Sequence, residues 1–193
     1  RSDALDRMID ERILEAEART GRRLDVTFNY RFAPASRTIK ELLLSGVIGE
    51  VTSVDFHWYL DTSHGADYFR RWHALMAYSG SLFVHKATHH FDLLNWYLDS
   101  DPAEVFARGA LRNYGKAGPF RGPRCRGCPH AGECDFYLDL DKAPRLVRLY
   151  EEPSKCDGYF RDQCVFREEI DIPDTMSAAI LYANGVQVSY SLN

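Results

Sequence analysis

The run TMSAAILYANGVQVSYSL, residues 175–192, decides the architecture. Its segments 175–183 and 186–192 carry alternating apolar and aromatic residues on either side of Asn184-Gly185, a dipeptide that signals a tight hairpin turn. Two neighbouring strands are therefore expected there. Working outward, residues 49–61 (GEVTSVDFHWYLD) set Val54, Phe56 and Trp58 against Ser53, Asp55 and His57. That alternation marks a strand with one covered face, and a second sheet begins with it. Residues 103–111 (AEVFARGAL) supply a further strand, and the apolar run between these two predicts one helix over 82–98.

Toward the N-terminus, Leu5, Met8, Ile9, Ile13 and Ala16 recur at helical spacing, and Gly21 stands where a C-terminal cap would end the helix. LDVTFNY, residues 24–30, reads as a short buried strand that Ala33-Pro34 breaks. Ser36 is placed to cap the helix RTIKELLLSG, which closes at Gly46. Strand, short loop and helix in this order belong to an α/β layer. Residues 112–172, rich in Gly, Pro, Arg and Cys, read as a long insertion with little regular structure. The chain opens on a helix and stops in a strand whose edge nothing follows to cover, so a fragment of a longer protein is expected.

At 193 residues and 45% hydrophobic content, the chain can build a real core for one domain or one and a half. A net charge of −4 with both signs interleaved leaves no broad cationic surface, which argues against nucleic acid as a partner. No window reaches the roughly 18 to 20 apolar residues of a membrane span, and residues 1–20 are a charged helical pattern unlike a signal peptide. A cytoplasmic protein with no membrane partner is expected.

HKATHHFD, residues 85–92, crowds three histidines, a lysine and an aspartate into an apolar run. On one continuous helix His85, His89, Asp92 and Trp96 share a face. Such a face can ligate a metal, but the zinc pattern H-E-x-x-H has Glu where this chain has Lys86, and a cation there opposes another. It can also move protons, because histidine titrates near neutrality. A third reading makes some of these side chains buried hydrogen-bonded groups, and His90, off the common face, fits that description.

NYRFAP (29–34), SGVIGEV (45–51), FRRWH (69–73), SGSLFVHKATHHFDLLNWYL (79–98), DPAEVFA (101–107) and DTMSAAILYANGVQVSYS (174–191) occur in one order. Together they resemble the glucose–fructose oxidoreductase and inositol dehydrogenase (Gfo/Idh/MocA) family of NAD(P)-dependent enzymes, with the cysteine-bearing insertion outside the match. The resemblance implies an α+β fold: an open, mostly antiparallel sheet with helices on one face and a second subunit against the other. Before it would come the last helix and strand of a truncated Rossmann-type domain. Residues 1–34 are then the remnant of the dinucleotide-binding half, and 35–193 the substrate and oligomerisation domain, truncated at its C-terminus.

The same resemblance implies hydride transfer between NAD or NADP and a secondary hydroxyl of a sugar, inositol or related polyol. It also admits hydrolases that use NAD through transient oxidation. Gly80 matches the family's glycine, His89 its acid/base or substrate-ligating histidine, and Asp92 the aspartate that partners substrate hydroxyls. His85 replaces an aspartate, and Lys86 beside it offers a different charge arrangement, so His89, His85 and Lys86 are the catalytic candidates. Asn29, Tyr30, Arg31, His64 and Trp72 join Asp92 as substrate-binding candidates. The family's Gly-rich phosphate loop and Glu-Lys-Pro segment do not occur in this chain, so no cofactor-binding residue is assigned and the chain alone is expected to be inactive.

CRGCPHAGEC, residues 125–134, places Cys125, Cys128 and Cys134 together, with Cys156 and Cys164 downstream. A C-x2-C pair turns two thiolates toward one point, and Cys156, Cys164 or His130 would complete a tetrahedral structural zinc site. An iron–sulfur cluster or free, redox-sensitive thiols are the alternatives. The rival functional reading follows from this segment: a zinc-stabilised interaction or oligomerisation domain without catalysis.

Overall fold

A computed structural model describes residues 3–193, with side chains of the first helix described from Met8 onward; Leu5 of the expected apolar stripe lies outside them. Helix α1 spans Asp3–Thr20 and ends at Gly21, whose φ of 66° is the left-handed conformation glycine adopts without penalty. Its described apolar residues Met8, Ile9, Ile13 and Leu14 are all exposed.

The strand expected over 24–30 is not formed. Residues 22–28 carry no regular structure, a 3-10 turn runs Asn29–Phe32, and Leu24 and Val26 are 61% and 76% exposed. A strand needs a ladder partner for its backbone groups and a surface for its side chains. Among the described residues this segment has no ladder partner, and only its end, Phe28 and Tyr30, finds side chains to pack on. Helix α2, Pro34–Leu44, also starts earlier than expected: Ala33 is the N-cap, Pro34 takes the first turn, and Ser36 is buried inside the helix. Proline's fixed φ and missing N–H suit that first position, so it displaces the serine cap.

Four strands form one sheet in the order β1-β4-β3-β2, with β1 at Ser53–Trp58, β2 at Pro102–Ala110, β3 at Thr175–Tyr182 and β4 at Gln187–Leu192. β2 pairs antiparallel with β3 and β3 with β4, while β1 runs parallel to β4. The fold is α+β and mostly antiparallel. The hairpin between β3 and β4 closes with Tyr182 N–H donating to the Val186 carbonyl at 2.9 Å and Gly185 at φ 88°. The loop is three residues, with glycine in its left-handed position.

Met176, Ala178, Ile180, Tyr182, Val188, Tyr190 and Leu192 are buried on one sheet face, and Val54, Phe56 and Trp58 pack against the same core. Helices α3 (Thr62–Arg70), α5 (Ser81–His85) and α6 (Thr88–Leu98) contribute Phe69, Leu82 and Leu94 to that core, and the short α4 (Met76–Ser79) precedes α5 in the chain. The opposite face exposes Ser53, Asp55, His57, Ser177, Ala179, Gln187 and Ser189. The period-two pattern of these strands therefore sorts residues between core and surface.

The single helix expected over 82–98 is broken between α5 and α6. The Leu82 carbonyl accepts from both Lys86 N–H at 3.0 Å and Ala87 N–H at 2.7 Å, the second a bond one residue wider than the helical repeat. That widening turns α6 relative to α5. Residues 112–172 hold only short helical turns, tied down where the Asp174 carboxylate accepts from Arg112, Asn113 and Tyr114 N–H at 2.9, 2.7 and 3.0 Å.

The chain enters α5 through Gly80 and Ser81 at φ 65° and 72°, and a Cβ on Gly80 would stand 2.9 Å from Val84 Cγ2. Gly80→Ala adds a left-handed penalty and a contact, and is expected to cost about 1–3 kcal/mol. Urea denaturation of the variant beside the parent checks this; an unchanged midpoint would refute the strain.

Candidate functional site

Two short elements meet beside Trp58 of β1: the 3-10 turn Asn29–Phe32, and the break between α5 and α6. Lys86, at the break, is 8% exposed, and its Nζ donates to Tyr30 Oη at 3.0 Å. The ammonium also lies 5.4 Å over the Tyr30 ring and 5.8 Å over Trp58, aromatic faces that offset part of its lost hydration. Tyr30 stacks on His89 with ring centroids 4.8 Å apart. His89 Nδ1 is buried without a hydrogen-bond partner.

One turn further along α6, Asp92 is buried and accepts a two-pronged bond from Arg31, Nε at 2.8 Å and Nη2 alongside. Both carboxylate oxygens are taken, and Arg31, with Trp96 6.0 Å beneath its guanidinium, has a side chain 38% exposed. His90 turns the other way: it is fully buried, and its Nδ1 lies 2.9 Å from Tyr190 Oη.

The widened turn separates His85 from the His89–Asp92 side. His85 packs edge-on against His73 at 4.2 Å and Tyr68 at 5.5 Å, and His73 stacks on Trp72 at 3.8 Å. His64, exposed on α3, has Nε2 3.4 Å from Tyr68 Oη. Asn29 is exposed at the start of its turn. Tyr68 and His73 therefore join the wall although the sequence reading did not single them out. His73 ends the FRRWH motif, which is the signal that was available.

Burial first, and then His85, press the His73 pKa down to about 4, and burial does the same to His90. His85 is lowered too, by burial and then by Arg71. These rings are neutral near pH 7, so the wall presents imidazole beside one ammonium and one guanidinium.

Among the cysteines, Cys125, Cys128, Cys134 and Cys164 line one small void, whereas Cys156 is exposed elsewhere and His130 is occupied by Glu133. All five are free thiols. Among the described residues no group of three or more His, Cys, Asp or Glu side chains stands in metal-holding geometry, so the expected zinc has no preformed cage. No helix among them is long and apolar enough to cross a membrane.

The fold is of the class of C-terminal alpha/beta domains found in an oxidoreductase family. The family described as "Oxidoreductase family, C-terminal alpha/beta domain" matches residues 40–192, a span that includes the cysteine segment, and the chain belongs to this Gfo/Idh/MocA family. YteT of Bacillus subtilis (strain 168), which bears an oxidoreductase name, is 44% identical over 194 residues, covering 94% of this chain and 45% of YteT. The chain thus spans under half of that relative.

Among solved structures, scyllo-inositol dehydrogenase from Lactobacillus casei, with bound NAD(H) and scyllo-inositol, matches with a TM-score of 0.53 at 19% identity. It covers 94% of this chain and 38% of that one. Aldose-aldose oxidoreductase from Caulobacter crescentus, complexed with glycerol, gives a TM-score of 0.52 at 14% identity over 94% of this chain and 38% of its own. These two likenesses establish the fold.

The depressed histidines set a pH window. Each is neutral in the folded state, so its stabilising contribution is whole above the unfolded pKa of about 6.5 and is lost as pH falls toward about 4, on the order of 3 kcal/mol apiece for His73 and His90. His73→Phe is expected to flatten the decline by about one proton's worth of slope. Urea midpoints measured from pH 7 to pH 4 check it, and parallel curves for variant and parent would contradict it.

Proposed function

We propose that this chain is the substrate side of an NAD(P)-dependent oxidoreductase acting on a secondary hydroxyl of a sugar, inositol or related polyol. The observation that carries the reading is the Lys86–Tyr30–His89 group: a buried ammonium bonded to a phenol that stacks on an imidazole with a free buried nitrogen. The inositol and aldose enzymes of the same fold support the substrate class.

The nicotinamide, when bound, takes the hydride. This chain's residues do the rest. The His89 imidazole accepts the hydroxyl proton as general base. Lys86 holds positive charge beside the oxygen as negative charge develops there, with Tyr30 fixing the ammonium's direction. Arg31, oriented by Asp92, offers its outer N–H groups to a flanking hydroxyl, and the exposed side chains of His64, Trp72 and Asn29 are assigned further substrate contacts. His85, in the neighbouring histidine pair, shapes that wall from beneath. No described segment forms the Gly-rich cradle that holds a dinucleotide's phosphates, so cofactor binding is not assigned to these residues.

The uncovered sheet face is proposed to receive a second copy of the chain. Small residues such as Ser177, Ala179 and Ser189 let a flat partner approach, and Phe106, 64% exposed, supplies an apolar anchor. Sedimentation velocity is expected to show an oligomer that Phe106→Glu weakens; a monomeric parent would rule this out.

Catalysis is tested in protein of full natural length. His89→Ala is expected to lower polyol-dependent NAD(P) reduction by about 10²–10⁴-fold in kcat, and Lys86→Met by a comparable factor, with far-ultraviolet circular dichroism unchanged. Near-parental turnover in either variant would remove the role given to that residue.

A further inference from the structure

We infer that Cys125, Cys128, Cys134 and Cys164 form a single-ion tetrathiolate zinc site that ties the two ends of the irregular segment to each other, and that Cys156 and His130 take no part. Four cysteines brought from two stretches of chain line one small void. Cys125, Cys128 and Cys134 come from one loop. Cys164 returns beside it through the isolated bridge between Arg124 and Gln163 and the Cys125 N–H bond to the Asp162 carbonyl at 2.8 Å.

The groups around the sulfurs are those that a thiolate needs. Leu138 N–H donates to Cys125 Sγ at 3.4 Å, and Phe166 N–H to Cys164 Sγ at 3.4 Å. Such backbone donors orient metal thiolates and offset their charge. Arg70, only 4% exposed, adds a guanidinium N–H to Cys125 Sγ at 3.2 Å. Among the described residues its other bonds go to the Gln163 and Phe136 carbonyls, so this buried cation meets sulfur and backbone with no carboxylate to balance it. A buried charge without a counter-charge is costly. Four thiolates around Zn²⁺ carry a net charge of about −2, which Arg70 would partly neutralise.

The void decides between one ion and a cluster. Its volume is about 10 Å³. That is room for roughly one water-sized sphere, and an iron–sulfur cube needs far more. As neutral thiols the sulfurs are not in ligating geometry. Binding Zn²⁺ releases each ligand's proton to solvent, and rotating side chains that already face one void brings them toward the Zn–S distance of about 2.3 Å. Cys156 is exposed on a separate turn. His130 stacks on Phe120 at 4.4 Å with its Nδ1 on Glu133, outside the void.

The test is metal analysis of protein purified at full natural length without added metal. About one zinc per chain is expected in the parent and in Cys156→Ser, with loss in Cys164→Ser. In case Cys164→Ser fails to fold, the parent itself is stripped and reloaded with Co²⁺. The expected spectrum has the strong visible bands and sulfur charge-transfer absorption of a tetrahedral tetrathiolate. Less than about a tenth of an equivalent of zinc, iron in its place, a disulfide among the four, or a cobalt spectrum lacking sulfur charge transfer would each overturn the site.

Discussion

The placement of His89 and Asp92 depends on one buried hydrogen bond. His90 Nδ1 and Tyr190 Oη, 2.9 Å apart and both inside the core, bolt helix α6 to strand β4. A helix fixed at one residue has its rotation fixed everywhere, because successive side chains step by about 100°. With His90 inward, His89 faces Tyr30 and Asp92 faces Arg31. Burial holds the imidazole neutral and pushes the Tyr190 phenol up, so the bond between them is one of uncharged groups, which suits a dry interior.

The widened turn at Leu82 completes that arrangement. It puts Lys86, whose neighbours in sequence include a histidine and small residues, against the Tyr30 and Trp58 rings with its ammonium on the Tyr30 hydroxyl. It also sends His85 into a separate pair with His73. A regular helix would have kept His85 and His89 one above the other. The polar wall is thus two adjoining clusters with different electrostatics: neutral imidazoles packed edge to face on one side, and fixed positive charge on the other.

Period-two patterning made β1, β3 and β4 legible in the sequence, because a half-buried strand writes its burial in alternate residues; Val54, Phe56 and Trp58 pack inward as their spacing implies. His90 was legible as a buried group for a similar reason, being out of phase with its polar neighbours. The contact between Lys86 and Tyr30 was not, since it joins positions 56 apart and neither residue carries a local signal of the other. The break in the helix was hidden because Lys86 and Ala87 are good helix formers and tertiary packing overrides them. LDVTFNY read as a strand on composition alone, and composition cannot supply the ladder partner that a strand requires.

The parallel pairing of β1 with β4 bears on how the chain assembles. β3 and β4 meet across a three-residue loop, but His57 finds Ser191 across 134 positions, with the helices and the whole cysteine segment strung between them. Closing so long a loop costs entropy that local contacts do not repay until late. The hairpin is a natural early nucleus, and β1 is a late arrival. Trp58, which lines the Lys86 pocket, lies on that last strand, so the pocket takes its final shape only when the two distant ends of the domain have joined.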